Sequence, residues 1–255
     1  MNKQSTVNSH QSSVKRENKR ITVHCSLFTI HCLLLTAYFL LLIVGCGYKP
    51  STLSDAHSKA IDFNQRGEYA FKKSDYKKAL SFYNEALKVN RSIENIDGIA
   101  INLINMATVY RKIGDRANAH ICVDEILNTS NTVFSSFRLS EAAFIKAILY
   151  VDDGKYNSAS EWADKASSFC KNAECLTEGR IYNLKAKIAL SKENPESTIN
   201  YGIKGLELNK KYGDKQEVAN SLRLIADAKA TLNQLEDARK LYEDALSLDK
   251  TLGLS

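Results

Sequence analysis

At 255 residues, 44% apolar and 25% charged, the chain has the composition of an ordinary globular protein of one or two domains. Its formal charge of +6 is concentrated at the amino terminus: 30 of the 35 basic and 28 of the 29 acidic residues lie beyond residue 45, leaving the remainder close to neutral. That balance, with no basic stripe interleaved with aromatics, speaks against nucleic acid as a partner, and two prolines in the whole chain suit long uninterrupted helices.

The first 45 residues read as a targeting signal. A polar segment carrying Lys3, Lys15, Arg16, Lys19 and Arg20 leads into an apolar run that is clearest from Leu33 to Val44. A basic front, a short apolar stretch and small residues near a cut site describe a secretory signal. The run is shorter than the ~20 residues a spanning helix needs. It ends in Ile43-Val44-Gly45-Cys46, which resembles the bacterial lipobox, with Ile43 where leucine is usual. The resemblance implies cleavage between Gly45 and Cys46 and acylation of Cys46, a firm membrane anchor by the number of chains. Gly47 stands where an aspartate is linked to inner-membrane retention, so the expected location is the periplasmic side of the outer membrane. An uncleaved anchor and a buried apolar segment are the alternatives. Val23 to Thr29 is nearly duplicated by Ile30 to Thr36, which leaves the true start codon open. Residues 46–54 are then a lipid-anchored linker, and 55–255 the folded part.

That part repeats. Units beginning at Ala60, Ala100, Ser140, Gly179 and Ala219 are spaced by 40, 40, 39 and 40 residues. Their eighth residues are Gly67, Ala107, Ala147, Ala186 and Ala226, and their twentieth Ala79, Ala119, Ala159, Thr198 and Ala238. The twenty-seventh are Ala86, Ile126, Ala166, Gly205 and Ala245. Two antiparallel helices approach closely only where side chains are small, so fixed small positions mark helix crossings. Turn signals divide each unit: Lys73-Ser74-Asp75, Gly114-Asp115, Asp152-Asp153-Gly154, Glu193-Asn194-Pro195 and Asn233-Gln234. Asn194 is a predicted N-cap with Pro195 at the first helical position.

In the first unit Gly67, Tyr76, Ala79, Tyr83 and Ala86 resemble the tetratricopeptide repeat, a helix-turn-helix unit. Tyr110 and Tyr150 extend the match, while Thr198, Gly202 and Gly205 depart from it in the fourth unit. The expected fold is all-α: a right-handed superhelical α-solenoid of about five such repeats, near 60–93, 100–133, 140–173, 179–212 and 219–252. The resemblance implies that the first helix of each pair lines a concave groove. Carried over, it selects Asn64 and Glu68, then Asn105, Thr108 and Arg111, then Glu141, Phe144 and Ile148. The fourth and fifth units give Arg180, Asn183 and Lys187, and Asn220, Arg223 and Asp227. Asparagine can pair with an extended peptide backbone, and arginine can hold a carboxylate at two points. The lysine and asparagine pairs of the family's terminal-carboxylate clamp are absent. The expected footprint is apolar around Phe144 and basic from Arg180 to Arg223. Leu241, Leu248 and Leu252 either pack within the last unit or form a surface for self-association.

Neither a metal-spaced His/Cys/carboxylate cluster nor a phosphate loop nor a nucleophile elbow is present, so no enzyme, no metal and no cofactor are expected. His57 falls in the linker. Cys122 reads as a buried apolar residue. Cys170 and Cys175 flank the passage from the third to the fourth unit and are a candidate disulfide or two free thiols. The expected function is a lipid-anchored scaffold that binds a partner protein or peptide in the cell envelope. A peptide-binding sensor and an accessory subunit of an envelope enzyme are the alternatives.

Overall fold

Ten helices account for nearly all of residues 52–129, 133–170 and 175–253, which the computed structural model describes. They are α1 (Leu53–Lys72), α2 (Tyr76–Ser92), α3 (Ile96–Ile113), α4 (Arg116–Leu127) and α5 (Ser136–Asp152). The rest are α6 (Tyr156–Cys170), α7 (Glu178–Ser191), α8 (Pro195–Tyr212), α9 (Lys215–Thr231) and α10 (Leu235–Leu252). Each helix packs antiparallel on the next, so five helix-turn-helix units stack in chain order as an α-solenoid. Residues 1–51 lie outside the described residues, and with them Gly45, Cys46 and nearly all of the expected linker. The expected boundary at 54 needs correction, because α1 already begins at Leu53 and His57 is helical. Asp55 in its first turn suits the positive end of a helix.

Every unit turns in the same way. Its fifteenth residue is left-handed: Ser74, Gly114, Gly154, Glu193 and Asn233 have φ of 59°, 83°, 70°, 55° and 60°. The residue after it opens the second helix. Asp75, Asp115 and Asn194 do so as side-chain caps, accepting from Lys78 N at 3.2 Å, Asn118 N at 3.1 Å and Ser197 N at 3.0 Å. Pro195 occupies the first turn beyond Asn194, where its missing N–H is not needed.

The small positions are where the helices cross. Ala79, Ala119, Ala159 and Thr198 are fully buried, as are Ala86, Ile126 and Ala166. A Cβ added at Gly67 would stand 2.5 Å from the Tyr83 ring, so that glycine lets α1 lie directly on the aromatic of α2. The largest apolar cluster fills the middle of the rod, from Leu87 to Ile188, and holds Ile126, Leu149 and Ile181. Smaller clusters around Tyr83 and around Leu222 serve the two ends. Cys122 is buried in the central cluster, and burial pushes its thiol up to about 12.

Candidate partner-binding cleft

The first helices of units two to five converge on one open cleft of about 580 Å³. Helix α3 brings Arg111 and Lys112, and α5 brings Phe144, Ile148, Val151 and Asp152. Helix α7 brings Arg180, Asn183, Leu184 and Lys187. Helix α9 closes it with Glu217, Asn220, Arg223, Leu224 and Asp227. Side chains from four helices meet because residues one unit apart occupy equivalent places on parallel helices. Nine groove positions expected from the sequence thus line one surface: Arg111, Phe144, Ile148, Arg180, Asn183, Lys187, Asn220, Arg223 and Asp227.

Several of these are already engaged. Arg111 donates to both carboxylate oxygens of Asp152, at 2.5 and 3.3 Å, and Arg116 approaches the same group at 2.8 Å. Burial alone would raise the Asp152 carboxyl; hydrogen bonds from Arg111 and then Arg116 outweigh it and hold the group below its ordinary value. Arg223 donates to Asp249 and, at 2.8 Å, to Asn220. Tyr242 donates to Asp227 at 2.5 Å, which with burial pushes the phenol up to about 12. Phe144 is only 6% exposed, because the Arg180 guanidinium lies 5.0 Å over its ring. The expected apolar patch there is therefore an arginine-covered floor. Lys187 and Lys112 are exposed.

Asn183 does not present its amide to the cleft. It is buried, donating to the Glu217 backbone oxygen at 3.0 Å and carboxylate at 2.9 Å, and accepting from Ser221 at 2.6 Å. Asn209, at the end of α8, donates in turn to Ser221 at 3.2 Å. Glycines make room for this cluster: a Cβ at Gly179 would stand 2.1 Å from the Asn209 amide, and one at Gly205 2.5 Å from Asn183. The departure from alanine at Gly205 thus has a cause, and at Gly202 an added Cβ would instead stand 2.6 Å from Ile225.

The first unit repeats that arrangement outside the cleft. Asn90 donates to Asn102 at 2.8 Å, and Asn102 donates to Asn64 at 2.9 Å. Asn105 also donates to Asn64, at 3.1 Å, and Asn64 donates to Glu68 at 2.8 Å. Three of the expected groove residues, Asn64, Glu68 and Asn105, are therefore tied to one another. Thr108 donates to the Ile104 carbonyl at 2.9 Å, and Glu141 receives Arg138 at 2.6 Å. Arg138 reaches back to Asp97 at 2.8 Å and holds that carboxyl below its ordinary value.

Cys170 and Cys175 are joined, with their Cα atoms 5.3 Å apart, where α6 gives way to α7. Both are buried, and the Ser140 hydroxyl lies 3.1 Å from the Cys170 sulfur. Among the described residues no helix is long and apolar enough to cross a membrane, and no three metal-ligating side chains cluster. In the last unit Leu241 and Leu248 are half-buried within its own core, whereas Leu252 is exposed.

Cleft residues that sequence reasoning missed are Lys112, Val151, Asp152, Leu184, Glu217 and Leu224. A usable signal existed for one of them. Arg111 and Asp152 are 41 residues apart, as are Asp97 and Arg138, and Asn64 and Asn105. One unit plus one residue is the spacing that brings side chains of neighbouring first helices together.

The architecture defines a helix-turn-helix repeat protein with a cleft lined by successive first helices. More particularly, residues 63–93 and residues 177–251 each match a family model described as tetratricopeptide repeat. Such repeats are generally non-catalytic interaction modules. No curated protein sequence matches the chain significantly. Among solved structures it is similar to BtubC (BKLC) from P. vanneervenii, at 13% identity and a TM-score of 0.66 over 78% of this chain and 83% of that one. The apo form of RapI is similar at 13% identity and a TM-score of 0.59, over 87% and 92%. A putative kinesin light chain with nearly identical TPR-like repeats from Podosopora anserina gives 14% and 0.54, over 81% and 98%. At these identities the likeness is one of fold alone.

Proposed function

We propose that the chain is a lipid-anchored scaffold of the bacterial envelope that holds a segment of a partner protein in the cleft between α3, α5, α7 and α9. The observation that carries this reading is the convergence of four first helices on one open, mixed-charge surface. Fold alone supports many partners, so the weight rests on that surface. The anchor rests on the lipobox-like sequence ending in Cys46 and the basic, then apolar, residues before it.

Two measurements test the two halves. A photo-crosslinking residue at Asn220 should capture a discrete protein from native envelope, while one at Ile121, which is 63% exposed and outside the cleft, should not. Equal capture at both sites, or none at Asn220, would sink the cleft reading. The mass of the amino-terminal peptide from native membranes should start at acylated Cys46. A peptide that retains residues before Cys46 would remove the anchor and leave the cleft untouched.

A further inference from the structure

The cleft's charges are unequally occupied. On the anionic side, all three carboxylates that line it have an internal donor. Asp152 takes Arg111 and Arg116, Glu217 takes the Asn183 amide at 2.9 Å, and Asp227 takes the Tyr242 hydroxyl at 2.5 Å. On the cationic side the occupation is incomplete. Arg111 and Arg223 are held by Asp152 and Asp249. Arg180 lies over Phe144 with its nearest carboxylate, Glu217, 3.9 Å away, and Glu217 is shared with Asn183. Lys187 and Lys112 have no carboxylate within ion-pair distance among the described residues, and both are exposed. The lining carries five cations against three carboxylates.

A partner's cation entering here meets carboxylates that each already accept from an internal donor, and it has only their remaining lone pairs to use. A partner's carboxylate finds two free ammonium groups and a guanidinium whose fork is largely unspent. We infer that the cleft selects an acidic segment of the partner protein, with its carboxylates on Lys187, Arg180 and Lys112. This rests on the cleft being the binding surface, and it moves the recognising role away from Arg223, which is bound within its own unit. Electrostatic complementarity of this kind sets choice of partner and association rate more than raw affinity.

The test uses the purified full-length protein with fluorescent twelve-residue peptides of matched length: glutamate-rich, lysine-rich and serine-rich. The glutamate-rich peptide should bind, and more weakly as salt rises. Lys112→Gln with Lys187→Gln should weaken it by roughly three- to tenfold, the size expected of two exposed pairs, while Lys77→Gln on exposed α2 leaves it unchanged. Equal loss from Lys77→Gln would mean general charge attraction and overturn the inference. So would preference for the serine- or lysine-rich peptide, or no binding of the glutamate-rich one. If the segment crosslinked at Asn220 proves neutral or basic, the scaffold reading stands and this selectivity falls.

Discussion

The joints between units are of two kinds. At the outer joints, between units one and two and between units four and five, the chain passes on through a tight turn. Glu94, with φ 53°, and Gly213, with φ 73°, stand at equivalent places, each followed by a side-chain cap, Asn95 or Asp214. Beneath each turn lies the same three-position relay. The thirty-first residue of a unit bonds to the third residue of the next, which bonds to the fifth of the first: Asn90, Asn102 and Asn64, or Asn209, Ser221 and Asn183. At the inner joints the fifth and third positions of that relay are apolar: Ile104 with Ala142, and Phe144 with Ile181. The connections there are longer, and Phe134 and Cys175 tuck into the central apolar cluster. One kind of joint is directional and intolerant; the other is held by burial and, at its second occurrence, by a covalent link. The contrast shows that equal repeat spacing does not mean equal joints.

Exchanging the two chemistries should break the molecule most. Asn102→Leu removes the middle of the first relay and strands the buried Asn90 amide, costing about 2–4 kcal/mol. Ile181→Asn, the reverse change at an inner joint, places an amide among apolar side chains and should cost a similar amount. Urea unfolding of both variants measures this; a near-neutral Asn102→Leu would show that the relay is decoration. Breaking the Cys170–Cys175 link comes next. A loop this short restrains the unfolded chain by roughly 2 kcal/mol, so a reductant should lower stability by that amount in the native protein and not in a Cys170→Ser/Cys175→Ser variant. A smaller gain is expected from Glu193→Gly, because a left-handed residue with a side chain costs about 1 kcal/mol. Gly154→Ala, at the equivalent turn, should lose a similar amount, and thermal melting of the pair checks both. Acid sharpens the comparison at the cleft. Asp152 is held below its ordinary carboxyl value, so its contribution is complete above the unfolded pKa of about 4 and is lost as pH falls through the folded value. Asp152→Asn should therefore flatten the acid limb of the stability profile below about pH 4 while lowering stability at neutral pH.

The repeat spacing, the five turns and the crossing residues were legible in the sequence because close approach of helices admits few side chains. The two kinds of joint were not. Asn64 and Asn183 sit at groove-facing positions, and nothing in a single residue's identity tells whether its amide is already satisfied from the next unit. Phe144 read as an apolar anchor because the arginine that covers it lies 36 residues on. The start of α1 at Leu53 was missed because Ala60 opens the repeat pattern while the helix runs two turns before it. The nine expected cleft residues came together because they depend only on helix face and unit spacing.

Repeat chains face a hazard that unique folds do not: a unit can dock on the wrong neighbour, within one molecule or between two. The asparagine relays make such an error expensive. If the first unit met the third, the buried Asn90 amide would face Ala142 in place of Asn102, and the Asn64 oxygen would lose both donors that the second unit supplies. A single buried asparagine can set register in coiled coils in this way. A protein stripped of its outer-joint relays would by the same reasoning be expected to swap units or to aggregate as it refolds.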